Sequence, residues 1–184
     1  MSHFSAKIAH QILTYAFIVL LAFTPLFFIT STEEIFEFNK MCLVYGLTIA
    51  VAGAWAVKML SERKIIWAKT FFDLPLVLFY LSQLAATLFS MHPWTSIFGY
   101  YARFNAGLLP LTCYLILYYA LVSNFKVSDL KRLFKWTFIA AFLVSLWGIL
   151  EHFGHSFSCL LINFDSVLDN SLSLSEAFSV TCWV

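Results

Sequence analysis

The chain has 184 residues, of which 61% are hydrophobic and only 11% charged, with a formal net charge of +1. Soluble domains carry about 45–50% apolar and about 25% charged residues, so this chain has too little polar surface to cover a core in water, and its expected solvent is lipid. A near-neutral balance with no concentrated basic face excludes nucleic acid as a partner.

With a span taken as about 20 apolar residues, the first helix is predicted over 12–30, interrupted late by Pro25. It is longer than a signal-peptide core, and Ser-Thr-Glu-Glu follows it where a small-residue cleavage site would stand, which predicts an uncleaved signal-anchor. The second span is predicted over 40–60 and the third over 70–90. Asp73 and Pro75 suit the start of that third helix: the acid meets the positive end of the helix dipole, and proline occupies a turn whose N–H needs no partner. The fourth span fits 105–123 and the fifth 134–150. The expected fold is therefore all-α, a polytopic transmembrane bundle of about five spans within residues 1–151, followed by a tail over 152–184.

Lysine and arginine in short loops stay on the cytoplasmic side. Lys7, the group Lys58, Arg63, Lys64 and Lys69, and the group Lys126, Lys131, Arg132 and Lys135 all fall on one side of the predicted spans. Lys40 and Arg103 fall on the other. This places the N-terminus in the cytoplasm and the tail outside.

Within the second span Gly46, Ala50, Gly53 and Ala54 share one face, a small-residue stripe that lets another helix approach closely. Gln83 and Thr87, one turn apart in the third span, are expected to hydrogen-bond to a neighbouring helix, because an unpaired amide in lipid is costly.

The outer segments hold the candidate functional residues. Between the third and fourth spans, Trp94, Phe98, Tyr100, Tyr101 and Phe104 surround Arg103, with Asn105 close by. One reading is an interfacial aromatic belt with Arg103 snorkelling to headgroups. The other is a binding site in which the Arg103 guanidinium grips phosphate oxygens in pairs. After the fifth span come Glu151, His152 and His155. They are either a solvated helix end or, through one of the histidines, a general base. Gly154 is expected to stop the helix before Glu151 and His155 can share a face. The spacing fits no familiar zinc motif, and no metal site is predicted. Cys42 and Cys113 lie within spans, as small apolar side chains. Cys159 and Cys182 share the outer tail and are either free or bonded to one another. Phe157 to Phe164 suits a segment lying in the interface. The chain stops at Val184 without a cytoplasmic return, the pattern expected of a truncated protein.

Glu37-Phe-Asn-Lys40, Phe72-Asp-Leu-Pro75, Ser96-Ile-Phe-Gly-Tyr-Tyr-Ala-Arg-Phe-Asn-Ala-Gly107, Trp147-Gly-Ile-Leu-Glu-His-Phe-Gly154 and the closing Cys-Trp-Val, in this order, resemble the N-terminal part of the bacterial O-antigen ligase and polymerase-related family. The resemblance covers the chain from about Phe23 onward and rests on subgroup patterns, not on catalytic signatures. It implies a multi-pass protein of the bacterial inner membrane. Such a protein transfers a preassembled glycan from undecaprenyl pyrophosphate to an acceptor hydroxyl on the outer face, as in lipopolysaccharide assembly, without metal or other cofactor. Arg103 matches the family's early outer-loop arginine, and Tyr100, Tyr101 and Asn105 accompany it as expected substrate contacts. The family's later outer loop, with further arginines and a histidine, has no counterpart, so His152 and His155 cannot take the base's role by position. The fragment alone is expected to be inactive. The alternative is a small non-enzymatic membrane subunit or scaffold, in which Arg103 is only an interfacial anchor.

Overall fold

The computed structural model describes residues 2–27, 37–100 and 104–153, and every regular element among them is helical. Helix α1 spans Ser2–Ile18, α2 Glu37–Glu62, α3 Asp73–Leu88, α4 Pro93–Phe98, α5 Leu108–Asn124 and α6 Val127–His152. Three helices, Ala6–Leu26, Phe38–Glu62 and Val127–Leu150, are long and apolar enough to cross a membrane, while α3 and α5 are apolar but shorter. At about 1.5 Å per residue, α3 and α5 reach about 24–26 Å, a few ångströms short of an average hydrocarbon core.

Helix α1 does not end where its regular ladder does. Val19–Phe23 widens into a π-turn and Thr24–Leu26 tightens into a 3-10 turn. Pro25 explains the change: it has no N–H, and its ring clashes with the carbonyl four residues back, so the backbone upstream must open. The Thr24 N–H accordingly reaches the Val19 carbonyl, five residues back. Pro25 keeps an acceptor, and Lys40 Nζ donates to its carbonyl at 3.4 Å, tying the start of α2 to the end of this helix.

The core joins α1, α2, α5 and the start of α6. Leu13, Ala16 and Phe17 meet Val44, Val51, Ala54 and Trp55, closed by Leu117, Ala120 and Leu133. Helix α6 begins beside α1, with His10 Nε2 3.7 Å from Asp129 Oδ2. It then runs along the Val19–Leu26 extension, parallel to α1. Helix α3 sits at the margin against α4 and α5 and buries none of its residues. Phe79, Leu81, Ile49, Phe138 and Phe142 all stand more than half exposed. So large an apolar surface is untenable for a chain in water and ordinary for one in lipid.

Helices α3 and α6 start by the same device. Asp73 Oδ2 accepts the Thr70 N–H at 3.0 Å, and Asp129 Oδ2 accepts the Lys126 N–H at 3.3 Å. In each case an acid three residues on reaches back to the entering backbone, as the acid of a capping box does. This capping brings polar residues into the helix, so α6 begins at Val127, about two turns before its apolar run. Helix α1 likewise takes in the polar residues ahead of Ile12.

Candidate functional site

Contacts sort the connecting segments into two ends. At one end lie Pro25, Lys40 and the connector from α3 to α5, tied to α2 by the Phe38 and Phe104 rings at 5.3 Å and by Tyr114, whose hydroxyl donates to Met41 Sδ at 3.4 Å. At the other lie the start of α1, the 63–72 connector and the α5–α6 turn, joined by His10 to Asp129 and by Lys58 to Asn124.

The connector at the first end is built, not slack. Ser90 caps it: its Oγ accepts the His92 N–H at 3.2 Å and the Ser96 hydroxyl at 2.7 Å. Pro93 then opens α4, where its missing N–H costs nothing. Trp94 stacks on Phe98 at 5.6 Å. Gly99 ends α4 at φ 93° and ψ 169°, a backbone region that in practice only glycine enters. Gly107 returns against the same turn so closely that an added Cβ would fall 2.6 Å from Gly99 N and 2.8 Å from Phe98 C. Two glycines, one for conformation and one for proximity, thus close a neck. The segment between them carries Tyr100, Tyr101, Arg103 and Asn105.

Of these, Tyr100 and Asn105 are exposed at the rim, whereas Tyr101 and Arg103 lie outside the described residues. Glu151 and His152 occupy the last turn of α6, with His152 exposed and its ring edge-on to Phe153. The helix stops at His152, short of His155, which with Cys159 and Cys182 lies outside the described residues. Cys113 is buried and Cys42 exposed, both as free thiols. Among the described residues no three His, Cys, Asp or Glu side chains come together.

Two expectations about packing meet a different arrangement. Ala54 enters the core, but Gly46, Ala50 and Gly53 are exposed, and nothing lies within 4 Å of a Cβ built on either glycine. Thr87 donates back to the Gln83 carbonyl of its own helix at 2.8 Å, and the Gln83 side chain faces outward. Both features therefore point away from the chain's own core.

At the opposite end the described residues form a polar network around Asp73 that goes beyond a helix-start signal. The Asp73 carboxylate accepts from the Thr70 N–H, the Thr70 hydroxyl and, at 3.2 Å, the Tyr119 hydroxyl. Tyr118 donates to Thr70 Oγ1 at 3.3 Å. Trp67 stacks on Tyr119 at 4.4 Å and on Trp55 at 5.8 Å. Ala68 N–H donates to Ser123 Oγ, and Lys58 Nζ to Asn124 Oδ1 at 3.0 Å, while the Asn124 amide returns to the Ala120 carbonyl. Only the Thr70-x-x-Asp73 spacing marks this site locally; its tyrosines come from a distant helix.

No protein-family model, curated protein or solved structure matches the chain. What the fold defines is a helical chain with three helices able to cross a membrane.

Proposed function

We propose that this chain is the N-terminal part of a membrane glycosyltransferase of the O-antigen ligase or polymerase type, acting on undecaprenyl-pyrophosphate-linked glycan at the outer face of the bacterial inner membrane. In this reading α1, α2, α3, α5 and α6 are five spans, and α3 and α5 complete theirs through flanking turns and local thinning of the bilayer. The N-terminus is cytoplasmic and the glycine neck faces outward, with residues 152–184 on that same side.

Transfer needs an apolar groove for the prenyl chain, a cation to hold the leaving pyrophosphate and a base for the acceptor hydroxyl. The observation that supports the reading is the Gly99–Gly107 neck, which anchors the segment bearing Tyr100, Tyr101, Arg103 and Asn105 at one end of the bundle. The exposed Phe89, Met91 and Trp94 beside it offer apolar surface for a lipid carrier. Arg103 supplies paired hydrogen bonds to phosphate.

The test is glycan transfer in membranes supplied with the lipid-linked donor, by this chain and by a version extended along its reading frame. Transfer by the extended form that falls about 100-fold in Arg103→Ala supports the proposal. No transfer by the extended form, or full transfer by the variant, overturns it.

One observation favours a second reading, a non-enzymatic membrane subunit. The open small-residue face of Gly46, Ala50 and Gly53 fits a helix of another protein. A stoichiometric partner that co-purifies with the chain and is lost in Gly53→Leu decides for it.

A further inference from the structure

The end of the bundle opposite the glycine neck carries a feature that glycan transfer does not use. Helix α2 closes with two hydrogen bonds, Arg63 N–H to the Leu60 carbonyl at 3.4 Å and Lys64 N–H to the Met59 carbonyl at 3.3 Å. This pair defines a helix terminus whose next residue turns left-handed, a place usually filled by glycine. Here Arg63 fills it, at φ 50°. A cation suits the negative end of a helix dipole, but Lys64, one residue on, already supplies one. Strain accepted at an exposed arginine points to a task for its side chain.

From Arg63 the chain runs without regular structure to Thr70, held against α5 by Ala68, by the Trp67 stack and by the Asp73 network. The side chains this leaves outward are of two kinds. Arg63, Lys64 and Lys69 are exposed cations, and Ile65, Phe71 and Phe72 are exposed apolar groups, at 82%, 92% and 60%. The first turns of α6 bring Lys131, Arg132 and Lys135 to the same end. Among the described residues none of these six cations is in an ion pair. The acids at this end are fewer, Glu62, Asp73 and Asp129 against the six cations, and Lys69 already acts on the Asp73 charge. Asp73 and Asp129 are held in place by Thr70, Tyr119, Lys126 N–H and His10, which keeps them back at the helix starts and leaves a net positive excess on the outward side chains.

We infer that the Arg63–Phe72 segment is a docking surface for anionic lipid headgroups of the leaflet it faces. Cations next to exposed aliphatic and aromatic groups match an interface whose outer layer is phosphate and whose next layer is acyl chain. The guanidinium takes phosphate oxygens in pairs, the lysines add charge, and Ile65, Phe71 and Phe72 enter the acyl boundary. The stacked Trp67 holds the segment in place before lipid arrives, so little ordering is left for binding to impose. The inference rests on the membrane-embedded part of the reading above and not on glycan transfer.

The experiment is lipid selectivity by electron spin resonance. The full chain is reconstituted in phosphatidylcholine vesicles with spin-labelled phosphatidylglycerol or spin-labelled phosphatidylcholine as the probe. Phosphatidylglycerol is expected to be favoured about threefold at low salt, with the preference lost in about 1 M salt. Arg63→Gly should lower the preference without lowering thermal stability, because glycine suits the left-handed position. The triple variant R63G/K64Q/K69Q should lower the preference further, to the part that the α6 cations alone sustain. Equal affinity for the two probes in a chain that resists alkaline extraction overturns this inference alone, as does an unchanged preference in the triple variant. Loss of the preference on replacing chloride with inorganic phosphate at matched ionic strength also overturns it, since the cluster would then serve a soluble anion. A chain released by alkali overturns both this inference and the membrane reading beneath it.

Discussion

The Tyr119 hydroxyl donates to Asp73 Oδ1 across 3.2 Å and so fastens α5 to the first turn of α3, a helix that buries none of its residues. Further along, Tyr80 and Thr112 share a hydrogen bond at 3.2 Å between the same two helices. Asp73→Ala removes the shared acceptor of three donors and is expected to lower the thermal midpoint more than Tyr119→Phe, which removes one. Thr70→Ala should fall between them, since it deletes one donor to Asp73 and the acceptor for Tyr118. Midpoints measured in one detergent check the order, and Tyr119→Phe as the most damaging change would contradict it.

The neck makes a second prediction. Gly107→Ala drives a methyl group into the Gly99 backbone and the Ile97 carbonyl, an overpacking expected to cost about 1–3 kcal/mol. Gly99→Ala meets a conformational penalty of similar size, about 1–3 kcal/mol, because φ 93° with ψ 169° suits no side chain. Thiol labelling at Tyr100→Cys, followed against denaturant, reads the loosening. A neck that accepts both alanines with an unchanged labelling rate refutes the described geometry.

Leu13 is fully buried among α1, α2 and α5, whereas Leu81 on α3 is half exposed. Leu13→Ala is expected to cost about 2–5 kcal/mol, and Leu81→Ala under about 0.5 kcal/mol. Thermal unfolding in detergent followed by tryptophan fluorescence distinguishes them.

With nothing within 4 Å of a Cβ at either position, Gly46→Leu and Gly53→Leu should leave the midpoint of the isolated chain within a few degrees of the parent. A marked fall would mean that the α2 face packs within the chain after all.

How much of this could be read from residues alone depended on the reach of each interaction. The helices at 40–60, 70–90 and 105–123 were legible because uninterrupted apolar runs declare themselves. Helices α1 and α6 start earlier than an apolar ruler places them, at α6 because that ruler is blind to a capped polar turn such as the one Asp129 builds. Helix α4 is too short for an apolar ruler to find, although Pro93 suits its first turn. The stripe of Gly46, Ala50 and Gly53 was visible as a pattern, but periodicity says only that residues share a face, not what that face meets. The Asp73 network stayed hidden because Tyr118 and Tyr119 are brought to it by the antiparallel packing of α5, which no local spacing encodes. Tyr100 and Asn105 stand out by their chemistry, while the neck beside them depends on a close backbone approach invisible in a string of letters.

That neck separates two tasks within one chain. Gly99 is held to glycine by its backbone conformation and Gly107 by the nearness of the α4 backbone, requirements set by the junction itself. Under the proposed function, substitutions at the exposed Tyr100 and Asn105 would therefore alter recognition while leaving untouched the junction that sets how α4 meets α5.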